Sequence, residues 1–368
     1  MRLSINLYPS LACNVKCNYC MVEEYKKDSR MTAELAESVI KRSNGFTDLQ
    51  VTFVGGEPTY HGTDHIRELA RAIRAKAADQ FQNVTFAMIT NGINLDNQFI
   101  SDFIDDGGQL LISFDGHGKR HPKAKKNLEF ANGYAKHANK LRPITMVTLS
   151  QNNTGTMRKL IGELYSIGSR HFVFNPNNKD DPKLYMADML DIWELANVLT
   201  DTRMGTLEEA YRFAIESRYA GRVVREAQRD GGDGVSMLDE IHIHPDGSVY
   251  SAMPYTGEQG VPLKELTSLR AYFSTEQHLK AILASDTVMN SAELLSEEER
   301  RWIRYSMGGV FLFDKPPRGI PLYRHDHHYN RFMLELSKIT FGTEIKNKHL
   351  LRYTKRRVKA DSLCSYKI

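Results

Sequence analysis

The chain has 368 residues, of which 41% are hydrophobic and 26% are charged, so it is long enough to bury one large domain or two. Its formal net charge of +4 is small for this length and does not by itself indicate nucleic-acid binding. No stretch approaches the roughly eighteen apolar residues of a membrane helix, and no secretory signal is recognisable. Its four cysteines do not form a disulfide framework, so we expect a cytoplasmic protein.

Short β-rich runs alternate with amphipathic helical stretches over the first half of the chain. The runs predict six strands, at Leu3–Leu7, Leu49–Val54, Val84–Thr90, Leu110–Phe114, Ile144–Leu149 and His171–Phe174. The intervening segments predict helices near residues 32–44, 63–80, 96–105, 123–140 and 156–167. Thr32 is the expected start of the first helix and Gly168 the expected end of the last. This α/β order predicts a parallel sheet in a partial or full barrel, with its chemistry at the C-terminal strand ends.

After the sixth strand the pattern changes to a long helical region, from about residue 185 to residue 228. The alternating segments Glu240–His244 and Ser248–Ala252, joined through Pro245-Asp246-Gly247, then predict a β-hairpin. We therefore expect three parts: a barrel core at 1–180, a helical connection at 181–235 and a C-terminal α+β extension at 236–368.

Three cysteines, Cys13, Cys17 and Cys20, fall within eight residues, and only Cys364 lies elsewhere. Three thiolates on one loop can bind one metal centre together. A zinc site and an ordinary cubane iron–sulfur cluster each take four protein ligands, so three local donors would leave one iron of a cluster open. The alternative is a zinc site that recruits a histidine from elsewhere.

Polar or glycine-rich clusters also follow the next three predicted strands. They are Gly55-Gly56-Glu57-Pro58, Thr90-Asn91-Gly92 and Ser113-Phe114-Asp115-Gly116. Because parallel strands end at the same edge of a sheet, we expect these clusters and the cysteines to meet at one site.

The motif Cys13-x3-Cys17-x2-Cys20, with Tyr19 before the last cysteine and Gly55–Pro58 after the next strand, resembles the radical S-adenosylmethionine superfamily. The resemblance implies that the three cysteines hold a [4Fe–4S] cluster, whose open iron chelates the amino and carboxylate groups of S-adenosylmethionine. The reduced cluster would cleave this cofactor to a 5′-deoxyadenosyl radical, which removes a hydrogen atom from an unactivated carbon. Flavodoxin or ferredoxin is an expected electron donor.

The same resemblance implies roles for the loop after the second strand. Gly55 and Gly56 would let the backbone approach the methionine moiety, as glycine permits. Glu57, which precedes Pro58, would accept a hydrogen bond from the ammonium group of the methionine. An ordinary turn is the alternative interpretation of these four residues.

For the remaining strand ends, the resemblance places Tyr19 beside the adenine, Ser113 at the ribose and Asn91 in the lining of the site. Each also has a plainer interpretation, because Tyr19 could simply pack, and Ser113 and Asn91 could be capping or turn residues. Asp115 is either a turn former or a polar group that faces the substrate. The sequence nominates no catalytic acid, base or hydrogen donor.

The predicted hairpin, residues 241–252, resembles the opening of a SPASM or twitch extension, which normally carries cysteines for auxiliary clusters. Here Ala252 stands near the expected cysteine, and Cys364 alone cannot hold a second cubane cluster. We therefore predict one cluster per chain, and a hairpin that serves as a structural cap or a substrate surface. Cys364 is either a bystander or a radical quencher, and His325–His328 is expected to be a polar patch rather than a metal site.

Three functions remain open at this stage. The first is a maturase that crosslinks, epimerises or functionalises a peptide or a peptide-derived natural product. The second is the same radical chemistry on a small metabolite such as a nucleoside, nucleotide or sugar. The third is a non-catalytic iron–sulfur or zinc protein, which anaerobic reconstitution would distinguish from the two enzymes. No membrane and no nucleic acid is expected as a partner.

Overall fold

The computed structural model describes residues 2–20, 29–116, 121–176, 240–250 and 260–272, together with 188, 191–192, 195, 199 and 203–205. The predicted helical region between residues 185 and 228 lies mostly outside these residues, but within it Arg203–Gly205 form a strand, so the helical prediction is wrong there. Ala252, His325–His328 and Cys364 lie outside them as well.

The described strands form one mixed sheet. In chain order they are β1 Arg2–Ser10, β2 Asp48–Gly55, β3 Asn83–Thr90, β4 Gln109–Ser113, β5 Ile144–Leu149, β6 His171–Pro176, β7 Arg203–Gly205, β8 Glu240–Ile243, β9 Ser248–Tyr250 and β10 Val261–Pro262. Their order across the sheet is β10-β9-β8-β1-β2-β3-β4-β5-β6-β7. Strands β1 to β7 pair in parallel, β8 pairs in parallel with β1, and β9 and β10 are antiparallel additions.

Helices connect the parallel strands as the sequence predicts. They are α1 Ala33–Lys41, α2 Thr63–Ala77, α3 Asn97–Asp105, α4 His121–His137 and α5 Met157–Ser166, followed later by the short α6 Leu269–Tyr272. The Thr32 side chain caps α1 by accepting from the backbone N–H of Leu35, 3.2 Å away. Gly168 follows α5 with φ of 90°, a conformation that glycine adopts without strain. The α/β parallel-sheet fold is thereby confirmed.

The two faces of the sheet differ in polarity. In β1, Leu3, Ile5 and Leu7 are fully buried and belong to the same hydrophobic core as the buried residues of α1. Residues of opposite parity face the other way, and there Asn6 pairs in register with Thr52 of β2 and with His242 of β8. One face thus carries the apolar core beneath the helices, whereas the opposite face carries the polar side chains of Asn6, Thr52 and His242 where β8, β1 and β2 lie side by side.

The predicted hairpin is present as β8 and β9. The backbone N–H of His244 donates to the carbonyl of Ser248 over 3.0 Å, and Gly247 takes the left-handed conformation with φ of 82°. The pairing of β8 with β1 places this hairpin in the main sheet, beside the strand that leads into the cysteines. Among the helices of the described residues, none combines the length and the apolar character that a membrane span requires.

Candidate active site at the strand ends

The predicted site residues lie along one edge of the parallel sheet. Residues 11–20, here called the cysteine loop, leave β1, and Gly55–Pro58 follow at the end of β2. Asn91 comes directly after β3, and Ser113 is the last residue of β4. These strands are consecutive parallel neighbours, so their carboxyl ends share an edge.

Backbone contacts join the end of β1 and the cysteine loop to the loop after β2. The N–H of Gly56 donates to the carbonyl of Ser10 over 3.2 Å, and the N–H of Glu57 donates to that of Ala12 over 2.9 Å. A β-carbon at Gly56 would lie 2.3 Å from the carbonyl oxygen of Ala12, and one at Gly55 would lie 2.4 Å from that of Ser10. Both glycines are therefore required by close packing of the two loops, a reason that the sequence did not disclose.

The three predicted metal ligands lie together on the cysteine loop. Cys13, Cys17 and Cys20 are thiols of intermediate exposure, and the backbone N–H of Cys20 donates to the carbonyl of Cys17 over 3.1 Å. Two donors approach the sulfur of Cys13, the backbone N–H of Val15 at 3.4 Å and the side-chain amide of Asn91 at 3.9 Å.

The donor set fits an iron–sulfur cluster. Within the described ranges, no three side chains of histidine, cysteine, aspartate or glutamate are grouped closely enough to hold one ion. Each thiolate of a cubane binds a different iron atom, so the three sulfur atoms do not have to converge on one point. Iron–sulfur clusters are held by soft thiolates whose sulfur atoms accept N–H hydrogen bonds, as the sulfur of Cys13 does here.

The carboxylate of Glu57 braces the ends of β2 and β3. It is 1% exposed. Its Oε1 accepts from the backbone N–H and the hydroxyl of Thr59, at 3.1 and 2.6 Å, and from the hydroxyl of Thr90 at 2.6 Å. Its Oε2 accepts from the backbone N–H of Asn91 at 2.8 Å. Burial raises the pKa of Glu57, and the four hydrogen bonds act in the opposite direction.

These contacts give the carboxylate a structural role that the sequence analysis did not foresee. Glu57 also caps the short 3₁₀ helix Pro58–His61, in which the buried Pro58 takes the first position. The expected contact between Glu57 and an ammonium group remains a prediction.

A buried aspartate, Asp115, links Tyr19 to strand β5 through hydrogen bonds. The hydroxyl of Tyr19 donates to Oδ2 of Asp115, and Oδ1 of Asp115 accepts from the backbone N–H of Thr148 in β5 over 3.1 Å. Asp115 is 4% exposed, so neither of its predicted roles, turn former or substrate contact, describes this link. Ser113 is half-buried on the same face of the sheet as Thr148.

A second polar cluster, absent from the predicted site, covers the polar face beside β1. Nδ1 of His242 lies 2.9 Å from the hydroxyl of Tyr8, and its Nε2 lies 3.3 Å from the side-chain amide of Asn6. The ring of His244 lies between those of Tyr8 and Tyr250, at centroid distances of 4.6 and 4.4 Å. Burial lowers the pKa of His242 to about 3 and that of His244 to about 4, so both rings are neutral near physiological pH. The alternation of histidine with isoleucine in β8 is the signal that could have indicated this inward-facing pair.

Comparison with known proteins agrees with this arrangement. Residues 7–142 match the family model of the Radical SAM superfamily, and this range contains the cysteine loop and the ends of β2, β3 and β4. A search of curated proteins finds no match to the sequence.

Solved structures share the fold at low sequence identity. Native anSMEcpe with bound AdoMet is similar over 96% of this chain and 99% of that chain, with a TM-score of 0.64 and 18% identity. Its complex with AdoMet and the Cp18Cys peptide gives a TM-score of 0.62 at the same 18% identity, over 97% and 99% of the two chains. SuiB of Streptococcus suis bound to S-adenosylmethionine is similar over 76% of this chain and 67% of that chain, with a TM-score of 0.55 and 14% identity. Residues 7–142 therefore form a Radical SAM superfamily domain, and the chain that carries it is an enzyme.

Proposed function

We propose that Cys13, Cys17 and Cys20 hold one [4Fe–4S] cluster and that the adjoining strand ends hold S-adenosylmethionine. The observation that carries this proposal is the direct hydrogen bonding of Gly56 to the end of β1 and of Glu57 to the cysteine loop that follows it. When bound and reduced, the cluster supplies one electron that cleaves S-adenosylmethionine, and the resulting 5′-deoxyadenosyl radical removes a hydrogen atom from the substrate.

The residues of this chain would position the cofactor. Gly55 and Gly56 expose backbone beside the cysteine loop, where the methionine moiety is expected. Tyr19 would lie against the adenine, with its ring orientation held through the hydroxyl contact to Asp115. The hydroxyl of Ser113, the last residue of β4, would contact the ribose.

The proposed substrate is a peptide or a peptide-derived natural product. This proposal is supported by the similarity to anSMEcpe, a fold relative that binds both AdoMet and the Cp18Cys peptide. The reaction would be a crosslink, an epimerisation or another C–H functionalisation. A small metabolite is the competing substrate class.

The cysteine content supports one cluster per chain, because only Cys364 remains outside the cysteine loop. We propose that flavodoxin or ferredoxin delivers the electron in the cytoplasm, where clustered thiols stay reduced.

Anaerobic reconstitution with iron and sulfide tests the cluster. We expect a brown protein with about four iron atoms per chain. With dithionite it should release 5′-deoxyadenosine from S-adenosylmethionine. Cys17→Ala should abolish this release, with Cys364→Ala as the matched control that retains it. Release by Cys17→Ala equal to that of the wild type would refute the assignment.

Deuterium transfer tests the substrate class. Cell extract from fully deuterated medium would be separated into a peptide fraction and a small-metabolite fraction, and each would be incubated with reconstituted enzyme. Because the radical returns to 5′-deoxyadenosine with the hydrogen that it removed, deuterium in that product marks the fraction containing the substrate. We expect the label from the peptide fraction, and label from the metabolite fraction alone would favour the competing class.

A further inference from the structure

The side chain of Asn91 is held in one orientation between β3 and the cysteine loop. It is buried, with 7% of its surface exposed. Its Oδ1 accepts from the backbone N–H of Ile93 at 3.0 Å, and its Nδ2 donates to Oδ1 of Asn14 at 2.7 Å. Because a backbone N–H can only donate, the amide oxygen has to face Ile93. The amide nitrogen is thereby directed toward the cysteine loop.

The second N–H of this amide faces Cys13. The Nδ2 atom lies 3.9 Å from Sγ, and sulfur accepts hydrogen bonds at longer distances than oxygen does because its atom is larger. The backbone N–H of Val15 approaches the same sulfur at 3.4 Å. Of these two donors to Cys13, that of Asn91 is a side chain, which mutation can remove.

The backbone of Asn91 is fixed as well. Its N–H donates over 2.8 Å to Oε2 of Glu57, which is itself held by the hydroxyl of Thr90 at the end of β3. The amide therefore cannot follow the cysteine loop freely. A donor held in this way keeps its position whether the nearby sulfur carries more or less negative charge.

We propose that Asn91 is a positioning residue for the iron–sulfur cluster, whose side-chain amide donates to the thiolate of Cys13 and makes the cluster easier to reduce. This inference rests on the proposed cluster and deepens that assignment. A donor at a cluster sulfur stabilises the more negatively charged reduced state, and hydrogen bonds to sulfur are among the determinants of cluster potentials. Partners just outside the metal ligands typically change metal affinity or activity by about 10- to 100-fold.

A redox titration followed by electron paramagnetic resonance tests this role on the reconstituted full chain without S-adenosylmethionine. Asn91→Ala should disfavour reduction by about tenfold, which for one electron lowers the midpoint potential by about 59 mV. Asn14→Ala removes the other acceptor of the amide and leaves the donor to Cys13, so it should change the equilibrium by less than about twofold. Asn94→Ala is a matched control, because the amide of Asn94 donates to the carbonyl of Thr59 at 3.0 Å instead.

An unchanged potential in Asn91→Ala overturns the inference. Equal shifts in Asn91→Ala and Asn14→Ala overturn it too, because loop placement rather than the donor would then set the potential. If Asn91→Ala does not retain iron, the redox titration of this variant is replaced by pulsed electron paramagnetic resonance on a protein whose asparagine side chains are labelled with ¹⁵N. Asn14 and Asn18 would be replaced by alanine in that sample. Coupling of a labelled amide to the reduced cluster supports the contact, and no coupling overturns it.

The two proposals fail in different ways. A wild-type chain that assembles no four-iron cluster, or does not cleave S-adenosylmethionine, contradicts the proposed function and this inference with it. If the wild-type chain assembles the cluster and cleaves S-adenosylmethionine, but Asn91→Ala has the same midpoint potential, the inference alone is contradicted.

Discussion

Acid should destabilise the fold through His242. This residue lies in β8 beside β1, and its buried ring has the hydroxyl of Tyr8 at 2.9 Å and the amide of Asn6 at 3.3 Å. Burial, with a smaller contribution from His244, lowers the pKa of His242 from 6.5 to about 3. The unfolded chain therefore takes up the proton first. The free energy of unfolding is highest above the unfolded pKa and falls as the pH drops toward the folded pKa.

The size of the effect follows from the pKa difference. One pKa unit corresponds to about 1.36 kcal/mol, and about pH 5 lies roughly 1.5 units below the unfolded value. His242 should therefore remove about 2 kcal/mol of stability between about pH 8 and about pH 5. The variant His242→Asn has no titrating ring. Its unfolding free energy should be lower than that of the wild type at about pH 8, and that deficit should shrink by about 2 kcal/mol at about pH 5.

Urea unfolding of the cluster-free protein, followed by circular dichroism across this pH range, measures the difference. His137→Asn, at the exposed end of α4, controls for the loss of a histidine as such. The reasoning would be refuted if the difference in unfolding free energy between wild type and His242→Asn stayed constant to within about 0.5 kcal/mol from about pH 8 to about pH 5. The histidine would then not be a buried neutral ring in solution.

Three further substitutions probe the strand ends. Gly56→Ala puts a β-carbon 2.3 Å from a backbone oxygen of the cysteine loop, so iron content after reconstitution should fall below about half of wild type. Gly133→Ala in α4, where nothing lies within 4 Å, should keep full iron, and equal contents would contradict the packing argument. Glu57→Gln places an N–H donor where a carboxylate oxygen accepted a hydrogen bond, so the free energy of unfolding in urea should fall by about 3 kcal/mol. A fall below about 1 kcal/mol would contradict the structural role of the Glu57 hydrogen bonds. Tyr19→Phe keeps the ring but removes the donor to Asp115, which should cost about 1–2 kcal/mol in the same assay, whereas unchanged stability would mean that the bond does not form in solution.

The strands and helices of the first half could be predicted because local patterns determine them. Strand β5 covers the predicted residues Ile144–Leu149, where half-buried and buried side chains alternate along the strand. Boundaries were harder to predict. Helix α1 ends at Lys41 rather than at residue 44, because the backbone of Arg42 has already left the helical conformation, with φ of −91° and ψ of 0°. Chain order and parallel pairing then place the predicted clusters at one edge.

Partners of the polar side chains could not be predicted, because they depend on atoms from distant segments. Glu57 accepts from Thr90 and from the backbone of Asn91, and the spacing of these residues along the chain contains no sign of that contact. Asp115 was expected in a turn or facing the substrate, yet it joins Tyr19 to β5. The placement of β8 beside β1 was equally inaccessible, because a hairpin motif determines its own turn but not the strand that it joins.

The pairing of β8 with β1 has a consequence for biosynthesis. Tyr8 and His242, which meet in the folded protein, are 234 positions apart. A ribosome therefore synthesises β1 and the cysteine loop long before β8, which pairs with β1, exists. Until then this edge of β1 has no partner strand, and unpaired strand edges promote misassociation. Insertion of the proposed cluster is accordingly expected to follow the synthesis of β8 rather than that of the cysteine loop alone.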